Sequence, residues 1–343
     1  MLSNVEIVKK TDREQLSRIN KIKVFFRNKR HRTIAISAAS VIAIILLAAL
    51  FMPLLFFKQA YNGNRQETEN GSADVWNIFL GGVDNDNIGG MEKLGNADGE
   101  VIVSINRSTR TVYLTSILRD TFLKFDDGRY GNKATLIYHY YGLDSLLEAV
   151  ETNLDIPIDN YVLINYPTLI SVVDSVGGIE MSLYKEEVIE LNAKVIQLNE
   201  QLLGLDRWDG IIYTDLDDFE GERTFTLTGK QVAGFARVRL SDETRNDLGR
   251  TDRERRLILA IKDKFLRLGL FKKIEVIRMV LDSVETDLPQ DRLVSLALSA
   301  LTFSGYRFVS QRIPLDGTYY GQDGYLYPDL EANREFLRST IYD

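Results

Sequence analysis

Arginine is concentrated in one short stretch of this sequence, residues 236–256, which reads ARVRLSDETRNDLGRTDRERR. The stretch holds seven arginines and five acids but no lysine. A guanidinium is a planar fork that can grip a phosphate or carboxylate through two parallel hydrogen bonds, whereas a lysine ammonium is a compact point charge. The composition therefore indicates an anion site built from arginine. The alternative is a solvated helix face on which arginines and acids form ion pairs.

Two helices are predicted at the ends of this stretch, and they place four of its arginines at helix ends. Arg237 and Arg239 close one predicted helix, while Arg250 and Arg253 flank the start of the next. Helix N-termini favour anions, so arginines placed there make a phosphate site plausible. Asp247 lies between the two pairs, where it could orient an arginine or accept a proton.

A second group of candidate residues lies in the glycine-rich segment 81–100, GGVDNDNIGGMEKLGNADGE. It carries Asp84, Asp86 and Asp98 next to a predicted strand. Carboxylates on such a loop suit a hard cation such as Mg²⁺, with Mn²⁺ as a substitute. The alternative is an ordinary polar loop, since Asp and Gly are also common in turns.

The third candidate is the pair Arg119 and Asp120, which ends a β-rich run. Open α/β sheets place their ligands at the carboxyl ends of strands, although a structural ion pair is the simpler interpretation. A cation site and convergent arginines together suit a diphosphate. Both can neutralise its charge and stabilise the charge that builds on a phosphoryl group during transfer.

Composition narrows the function classes further. With 343 residues, of which 45% are hydrophobic and 27% charged, the chain is typical of a packed protein. It has no cysteine, which excludes disulfides, thiolate metal sites and a cysteine nucleophile. Its two histidines are His31, in a basic tail, and His139. A histidine zinc site or a Ser-His-Asp triad therefore has at most one plausible member.

Residues 34–57 predict the membrane topology of the chain. They are 24 consecutive residues without a charge, longer than the roughly 20 that a spanning helix needs and longer than the core of a signal peptide. Residues 1–33 carry ten Lys/Arg and three acids, so the positive-inside rule places them in the cytoplasm. Removing this +7 from the net charge of −7 leaves −14 for the remainder, which argues against a nucleic-acid partner and a transcriptional regulator.

The predicted organisation is that of a single-pass protein of the cytoplasmic membrane with an extracytoplasmic domain. Its parts are a cytoplasmic basic tail (1–33), a transmembrane helix (34–57), a linker (58–73) and one α/β domain (74–343). We expect that domain to be a three-layer α-β-α fold with a central mixed sheet, because strand and helix patterns alternate and NRSTR at 106–110 joins two strands as a hairpin.

Individual elements follow from periodicity and turn residues. Capping-box patterns predict that helices begin at Thr228 and Thr251. Strands are predicted at 75–80, 100–105, 111–117, 161–165, 179–183 and 307–313, and helices at 143–153, 167–176, 185–203, 272–282 and 291–302, with a final helix at the C-terminus.

Seven short motifs occur in a fixed order between residues 79 and 255. They are FLGGVD (79–84), NAD (96–98), SILRDTF (116–122), IPIDNYVLIN (156–165), DSVGGIE (174–180), LTGKQVAGFARVR (227–239) and NDLGRTDRER (246–255). Each motif alone is weak evidence, but the ordered set is specific. It resembles the LytR-CpsA-Psr family of cell-wall glycopolymer ligases over about 74–270, and the predicted span and short inner tail also match.

The resemblance implies a membrane-anchored phosphotransferase that moves a glycopolymer, such as teichoic acid or capsule, from a polyprenyl-diphosphate carrier to peptidoglycan. Diphosphate hydrolysis would be a side reaction. The lipid would lie in an apolar groove between sheet and helices, with 185–203 as a contributor. The implied site residues are Asp84 and Asp98 for Mg²⁺, Arg119, Arg237, Arg239, Arg250 and Arg253 for the diphosphate, and Arg119, Asp120 and Asp247 for catalysis, with either aspartate as the base.

Five positions depart from the family pattern. They are Asn96 in place of Arg, Leu118 in place of Pro, Ala134 in place of Ile or Leu, Thr135 in place of Asn, and Glu254 in place of Gln. Asn96 and Thr135 remove expected diphosphate contacts. They keep open a second hypothesis, a catalytically weak scaffold that binds polyprenyl-linked glycans without transferring them.

Overall fold

The computed structural model describes the greater part of the chain after residue 59. The described residues are 60–61, 74–83, 95–200, 206–215, 219, 221–238, 246–288 and 305–343, with the backbone alone for 60, 61, 98, 246–252 and 254. The predicted cytoplasmic tail, transmembrane helix and helix 291–302 lie outside these ranges and stay predictions. Within them, no helix is both long and apolar enough to cross a membrane.

Strands and helices alternate along the described ranges. The strands are β1 (Ala60–Tyr61), β2 (Val75–Val83), β3 (Ala97–Asn106), β4 (Thr111–Ile117), β5 (Phe122–Leu123), β6 (Asn132–Lys133), β7 (Asn160–Asn165), β8 (Ile179–Tyr184), β9 (Glu222–Leu227), β10 (Glu285–Thr286), β11 (Arg307–Ile313), β12 (Tyr319–Gln322) and β13 (Tyr325–Pro328). The helices are α1 (Ala134–Leu154), α2 (Tyr166–Ser175), α3 (Lys185–Leu198), α4 (Gly229–Ala236), α5 (Asn246–Arg267), α6 (Leu270–Ser283) and α7 (Leu330–Ile341).

A mixed sheet forms the centre of the fold, with strand order β1-β10-β7-β2-β3-β4-β11. β2, β3 and β4 pair antiparallel, whereas the β2–β7 and β4–β11 pairs are parallel. The predicted hairpin between β3 and β4 is confirmed. Its turn is closed by the Thr109 N–H, which donates to Asn106 Oδ1 at 2.9 Å, and by Arg110 in the left-handed region at φ 50°.

One face of the sheet packs against α1 and α7. Alternate residues of a strand point to opposite faces, and on this face Phe79 and Ile102 from the sheet join Ile137, Leu146 and Leu337 from the two helices in one buried cluster. Burying such side chains contributes roughly 1.5–3 kcal/mol each. This cluster is the main core of the domain.

The opposite face is covered by α2, α4, α5 and α6. Behind them, α3 and the separate β8–β9 sheet complete a second apolar cluster, which includes Leu191 and Val195 of α3, Phe235 of α4 and Leu257 of α5. Helices therefore lie on both faces of a mixed sheet, as the sequence predicts.

Three sequence predictions of element boundaries need correction. β2 does not end at Gly81 but continues through both glycines to Val83. α1 begins at Ala134 rather than 143, with a kink at Gly142, whose φ of 84° suits glycine. α5 begins at Asn246, so the prediction of a helix start at Thr251 is wrong. The Thr228 start is confirmed, and the Thr228 N–H donates to Gln231 Oε1 at 2.9 Å.

The burial of Phe79 gives a test of the main core. Phe79→Ala should lower the free energy of unfolding by about 3–5 kcal/mol, because the surrounding residues refill the cavity only partly. Phe271→Ala is the matched control, since Phe79 is 0% exposed and Phe271 is 77% exposed. Its effect should stay within about 0.5 kcal/mol. Urea unfolding of the full chain measures both, and equal losses would contradict the place of Phe79 in the core.

Candidate functional site

The sheet topology gathers the charged candidates at one edge. β2, β4 and β7 end at this edge and β3 begins there, with Val83 paired to both Ala97 and Asn165. The β3–β4 register stops at Val101 and Ser116. Asp98 and Arg119 each lie three residues beyond that pair, so both lie at the same edge of the sheet. Asp84 directly follows Val83 in the sequence.

A bulge marks the position of Asp98. Gly82 pairs with Gly99 and Val83 with Ala97, so Asp98 is an extra residue in β3. Bulges of this kind are common beside functional sites because they change the direction of the strand. The side chain of Asp98 and all of Asp84 lie outside the described residues, and the predicted metal pair stays a prediction.

The turn after β4 holds Arg119 and Asp120. The Thr121 N–H donates to Leu118 O at 2.8 Å, and the Thr135 N–H donates to Arg119 O at 3.2 Å. Asp120 Oδ1 is 3.9 Å from Arg119 Nε and 2.7 Å from Lys133 Nζ. Its carboxylate thus lies between two cations, and all three side chains remain partly exposed.

Sequence reasoning assigns no role to Lys133, which the structure places in this ion pair. Lys133 ends β6, which pairs with β5 just after the Arg119–Asp120 turn. The signal for it is weak, since one lysine at the end of a two-residue strand has no distinctive pattern. The structure also places Thr135 beside Arg119, with its hydroxyl oxygen buried and, in the part of the chain that the structure describes, without a hydrogen-bond partner.

Arg237 lies at the end of α4, on the cavity side of the sheet. It is the C-cap residue of α4, and its Cζ is 5.4 Å from the ring centroid of Tyr166, the first residue of α2. Its Nη1 atom is buried and, among the described residues, has no hydrogen-bond partner. A buried guanidinium nitrogen without a partner is costly, so an anion at this position would be favoured.

Arg253 and Arg256 of α5 contact the protein itself. Arg253 is buried, and its Nη2 donates to Val238 O at 2.8 Å, which fixes the chain immediately before Arg239. Arg256 pairs with Glu187 at 3.2 Å and donates to the Ser182 carbonyl oxygen at 2.5 Å. The ion-pair interpretation of the arginine-rich stretch therefore holds for Arg256, and Arg253 is at least partly structural.

The remaining candidates are described only in part. Arg239 lies outside the described residues, whereas Asp247 and Arg250 have a described backbone in the first turns of α5. Among the described residues, no group of three or more His, Cys, Asp or Glu side chains could hold a metal ion.

An apolar cavity of about 320 Å³ lies between the sheet and the covering helices. Its described lining is almost entirely aliphatic and comes from β2, β3 and β7 on one side and α2, α4, α5 and α6 on the other. Ala236 and Tyr166 belong to the lining, so Arg237 adjoins one end of the cavity. The described part of 185–203 does not line it, contrary to expectation, because α3 packs into the second cluster.

Two glycines on the cavity wall make this space possible. Gly82 and Gly99 pair across β2 and β3, and both line the cavity. A Cβ added at Gly82 would meet only ordinary contacts, 3.6 Å from Gly99 N at the nearest. Larger residues at these positions would occupy the cavity. Sequence reasoning interprets Gly81-Gly82 as a loop and so misses this role.

Comparisons with known proteins agree with this geometry. The model of the LytR_cpsA_psr family matches residues 57–339. A relative, the polyisoprenyl-teichoic acid–peptidoglycan teichoic acid transferase TagU of Enterococcus faecalis, is 27% identical over 259 residues, which is 75% of either chain.

Solved structures show the same mixed α/β fold with a central mixed sheet. TagT bound to LIIa-WTA matches with a TM-score of 0.60 and 21% identity, over 83% of this chain and 99% of that one. The LytR-CPS2A-psr family protein YwtF (TagT) with bound octaprenyl pyrophosphate lipid matches with a TM-score of 0.54 and 21% identity, over 83% and 97%.

The two neighbouring glycines of β2 give a paired test of the cavity wall. Gly81→Val should destabilise the fold by about 1–3 kcal/mol, because a Cβ there would lie 2.5 Å from Leu163 Cδ2 in the main core. Gly82→Val should cost less than about 1 kcal/mol, since its side chain enters the cavity instead. Thermal unfolding of both variants measures this difference, and the reverse order would show that the two faces of β2 are wrongly assigned.

Proposed function

Because the chain belongs to the LytR_cpsA_psr family, we propose that it is a membrane-anchored phosphotransferase that moves a glycopolymer from a polyprenyl-diphosphate carrier to peptidoglycan. The names of its relatives support this proposal, with TagU named as a teichoic acid transferase and a TagT structure described with octaprenyl pyrophosphate. In this chain, the supporting observation is the apolar cavity that ends beside Arg237. A polyprenyl diphosphate has the matching chemistry, an apolar tail joined to an anionic head.

The substrate would lie with its tail in the cavity and its diphosphate at the sheet edge. Arg119 and Arg237 are the described arginines that would hold the phosphate oxygens, and Arg239 and Arg250 would add to them. Arg253 would act mainly through the Val238 carbonyl, by positioning the chain that leads to Arg239. Bidentate guanidinium contacts give both charge neutralisation and fixed geometry.

Asp84 and Asp98 would hold the divalent cation, Mg²⁺ or Mn²⁺. The donor set fits, because Mg²⁺ is commonly bound by one or two carboxylates together with substrate phosphates rather than by an all-protein cage. The bulge at Asp98, opposite the end of β2, supports this assignment. When bound, the cation would supply charge neutralisation at the diphosphate.

In the proposed reaction an acceptor hydroxyl of peptidoglycan attacks the phosphorus that carries the glycan. A new P–O bond forms, the diphosphate P–O bond breaks, and polyprenyl phosphate leaves with the electron pair. The hydroxyl proton passes to a carboxylate. The arginines stabilise the charge on the transferring group without changing their own protonation, which is the usual tool of phosphoryl transfer.

Asp120 and Asp247 are the two candidates for this base. Asp120 is held by Lys133 at 2.7 Å, a contact that suits it to positioning Lys133 and Arg119. Asp247 lies in the first turn of α5 and has a described backbone only. We therefore assign the base to Asp247 and a positioning role to Asp120.

The proposed arrangement in the cell follows from the sequence. Residues 34–57 would anchor the protein in the cytoplasmic membrane, with residues 1–33 inside and the domain outside. This topology would keep the domain attached to the membrane in which the polyprenyl carrier resides.

One observation favours the second candidate function, a scaffold that binds lipid-linked glycans without transferring them. Thr135 lies beside Arg119, at a position where an asparagine is expected, and its hydroxyl oxygen has no hydrogen-bond partner among the described residues. Cleavage of the diphosphate separates the two functions. A chain that retains polyprenyl diphosphate but never cleaves it, even with a glycan and acceptor present, would be the scaffold.

The arginine contact gives the first test of the transferase. Arg119→Ala should slow phosphate release from polyprenyl diphosphate roughly 10- to 100-fold, because a charged donor to the diphosphate is lost. Arg119→Lys should restore only part of the rate, since an ammonium cannot form the bidentate fork. The assay uses the full chain in detergent micelles with Mg²⁺. Arg278→Ala, an exposed arginine in a helical pair with Asp282, is the matched control, and full activity of Arg119→Ala would rule out its role.

The metal assignment is tested by titration. Asp98→Asn should abolish the stimulation of phosphate release by Mg²⁺, because it removes a carboxylate from the proposed pair. Asp127→Asn is the control, since Asp127 is an exposed loop carboxylate that pairs with Arg129. Rates are measured over a range of Mg²⁺ concentrations. A Mg²⁺ response that is the same in Asp98→Asn and the unmodified chain would remove Asp98 from the metal site.

A further inference from the structure

The hairpin formed by β12 and β13 is attached to the Arg119–Asp120 turn. Its strands pair antiparallel from Tyr319 and Pro328 to Gln322 and Tyr325. The Leu326 N–H donates to the Asp120 carbonyl oxygen at 2.9 Å, and Thr121 forms a parallel bridge with Leu326. The hairpin is therefore fixed to the same turn that presents two of the candidate site residues.

Aromatic rings from two distant parts of the chain meet on this hairpin. We call Phe122, Tyr130, Tyr320, Tyr325 and Tyr327 the aromatic platform. Phe122 lies 5.0 Å from Tyr327 and 5.5 Å from Tyr130 between ring centroids. Tyr327 and Tyr320 are stacked at 5.0 Å with an interplanar angle of 15°. Such spacings are favourable for aromatic pairs, so the rings support one another in a continuous surface.

Much of this surface faces solvent. Tyr130 is 78% exposed and Tyr320 61% exposed, whereas Phe122 beneath them is buried. Packing of the domain does not require the two outer rings. Contiguous exposed aromatic area on a soluble domain is uncommon and usually marks a binding surface.

The hydroxyl groups of the platform lie close together as well. Desolvation, followed by the neighbouring Tyr130, raises the pKa of Tyr327 above its usual range. Tyr325 Oη is 3.5 Å from Asn132 Oδ1, and its ring lies 5.1 Å from Lys133 Nζ. The platform thus combines flat apolar ring faces with phenolic hydroxyl groups that can donate and accept hydrogen bonds.

This combination fits the surface of a sugar chain. The C–H face of a pyranose ring is apolar and flat enough to stack on an aromatic ring, while its hydroxyl and amide groups need polar partners at the rim. Tyrosine offers both at low conformational cost, because its side chain has two rotatable angles.

The charged residues on and near the aromatic platform indicate which kind of sugar chain it can bind. The hairpin segment 319–328 has one acid, Asp323, and no lysine or arginine. Nearby, Lys133 pairs with Asp120 and Arg312 pairs with Asp316. A polyanionic polymer would need cations along its path. The platform is therefore better matched to a neutral sugar backbone.

We propose that the aromatic platform binds the sugar backbone of the acceptor glycan strand and guides its hydroxyl toward the Arg119–Asp120 turn. The proposal rests on the proposed transferase function, of which it specifies the acceptor site. It gives Tyr320 and Tyr327 a specificity role outside the diphosphate contacts. The fixed attachment of the hairpin through Asp120 and Thr121 would hold the strand in register with the site.

The experiment measures binding of two glycan probes to the full chain in detergent micelles, without any lipid diphosphate. The probes are an uncharged β-1,4-linked N-acetylglucosamine tetramer and peptidoglycan glycan strands freed of attached polymer. Tyr320→Ala should weaken binding of both roughly tenfold, as expected for loss of one stacking ring. Tyr320→Phe should retain most of the affinity, since the ring remains.

Tyr213→Ala is the matched control, because Tyr213 is 81% exposed and lies outside the platform. It should bind the probes as the unmodified chain does. Equal affinity of Tyr320→Ala and Tyr213→Ala would overturn the proposal, and so would the absence of probe binding by the unmodified chain. Preferential binding of a polyanionic teichoic acid at the platform, in place of the uncharged tetramer, would also overturn it.

Phosphate release from polyprenyl diphosphate, measured on the same preparations, separates this proposal from the transferase. Probe binding that depends on Tyr320 in a chain that never cleaves the diphosphate would sink the transferase and leave the glycan site standing. Normal cleavage of the diphosphate without probe binding would overturn the glycan site and leave the transferase standing.

Discussion

The register of β2 against β3 is the constraint on which the rest of the site depends. It places Phe79 in the main core and Leu80 and Gly82 on the cavity wall, because adjacent residues of a strand face opposite sides. A slip of one residue would exchange the two faces, burying the cavity residues in the core and exposing Phe79 to the cavity. The same register includes the bulge at Asp98. It places Asp98 at the edge of the sheet where β4 ends and Arg119 follows.

The cavity that this register creates lowers the stability of the fold. Space without side chains between the sheet and the helices forfeits packing contacts, so keeping about 320 Å³ open lowers the stability of the fold. Two paired glycines, Gly82 and Gly99, maintain this space where valine would fit a strand better. A sequence that keeps such a space, lined by aliphatic residues and ending beside Arg237, gives up stability for the capacity to hold an apolar chain.

Sequence patterns within a short segment predict those strands and helices whose bounds depend on the residues of that segment. β4 and β11 agree with their predicted bounds because each is a β-rich run between turn residues. The capping pattern at Thr251 does not mark the start of α5, which begins five residues earlier at Asn246, so the local pattern alone misplaces this boundary. The aromatic platform could not be predicted, because no local pattern records that the rings of residues 122 and 327 lie 5.0 Å apart.

Candidate site residues are predictable to the same limited degree. Charge type and position at strand ends identify Arg119 and Asp98 as candidates, but composition cannot separate arginines that bind a ligand from those that bind the protein. Arg256 and Arg237 illustrate this limit. Both lie in one arginine-rich stretch, yet Arg256 is satisfied by Glu187 and by the Ser182 carbonyl.

Arg237 differs because its surroundings fix its position without satisfying its charge. The C-cap position on α4 and the Tyr166 ring hold the guanidinium in place, while Nη1 is buried and, within the described part of the chain, has no partner. Such a group has already met much of the cost of desolvation and ordering when the protein folds. An anion that reaches it therefore gains a charged hydrogen bond with little further reorganisation, which is the physical meaning of a preorganised site. Arg256, whose partners belong to the protein, stabilises the scaffold on which that site is held.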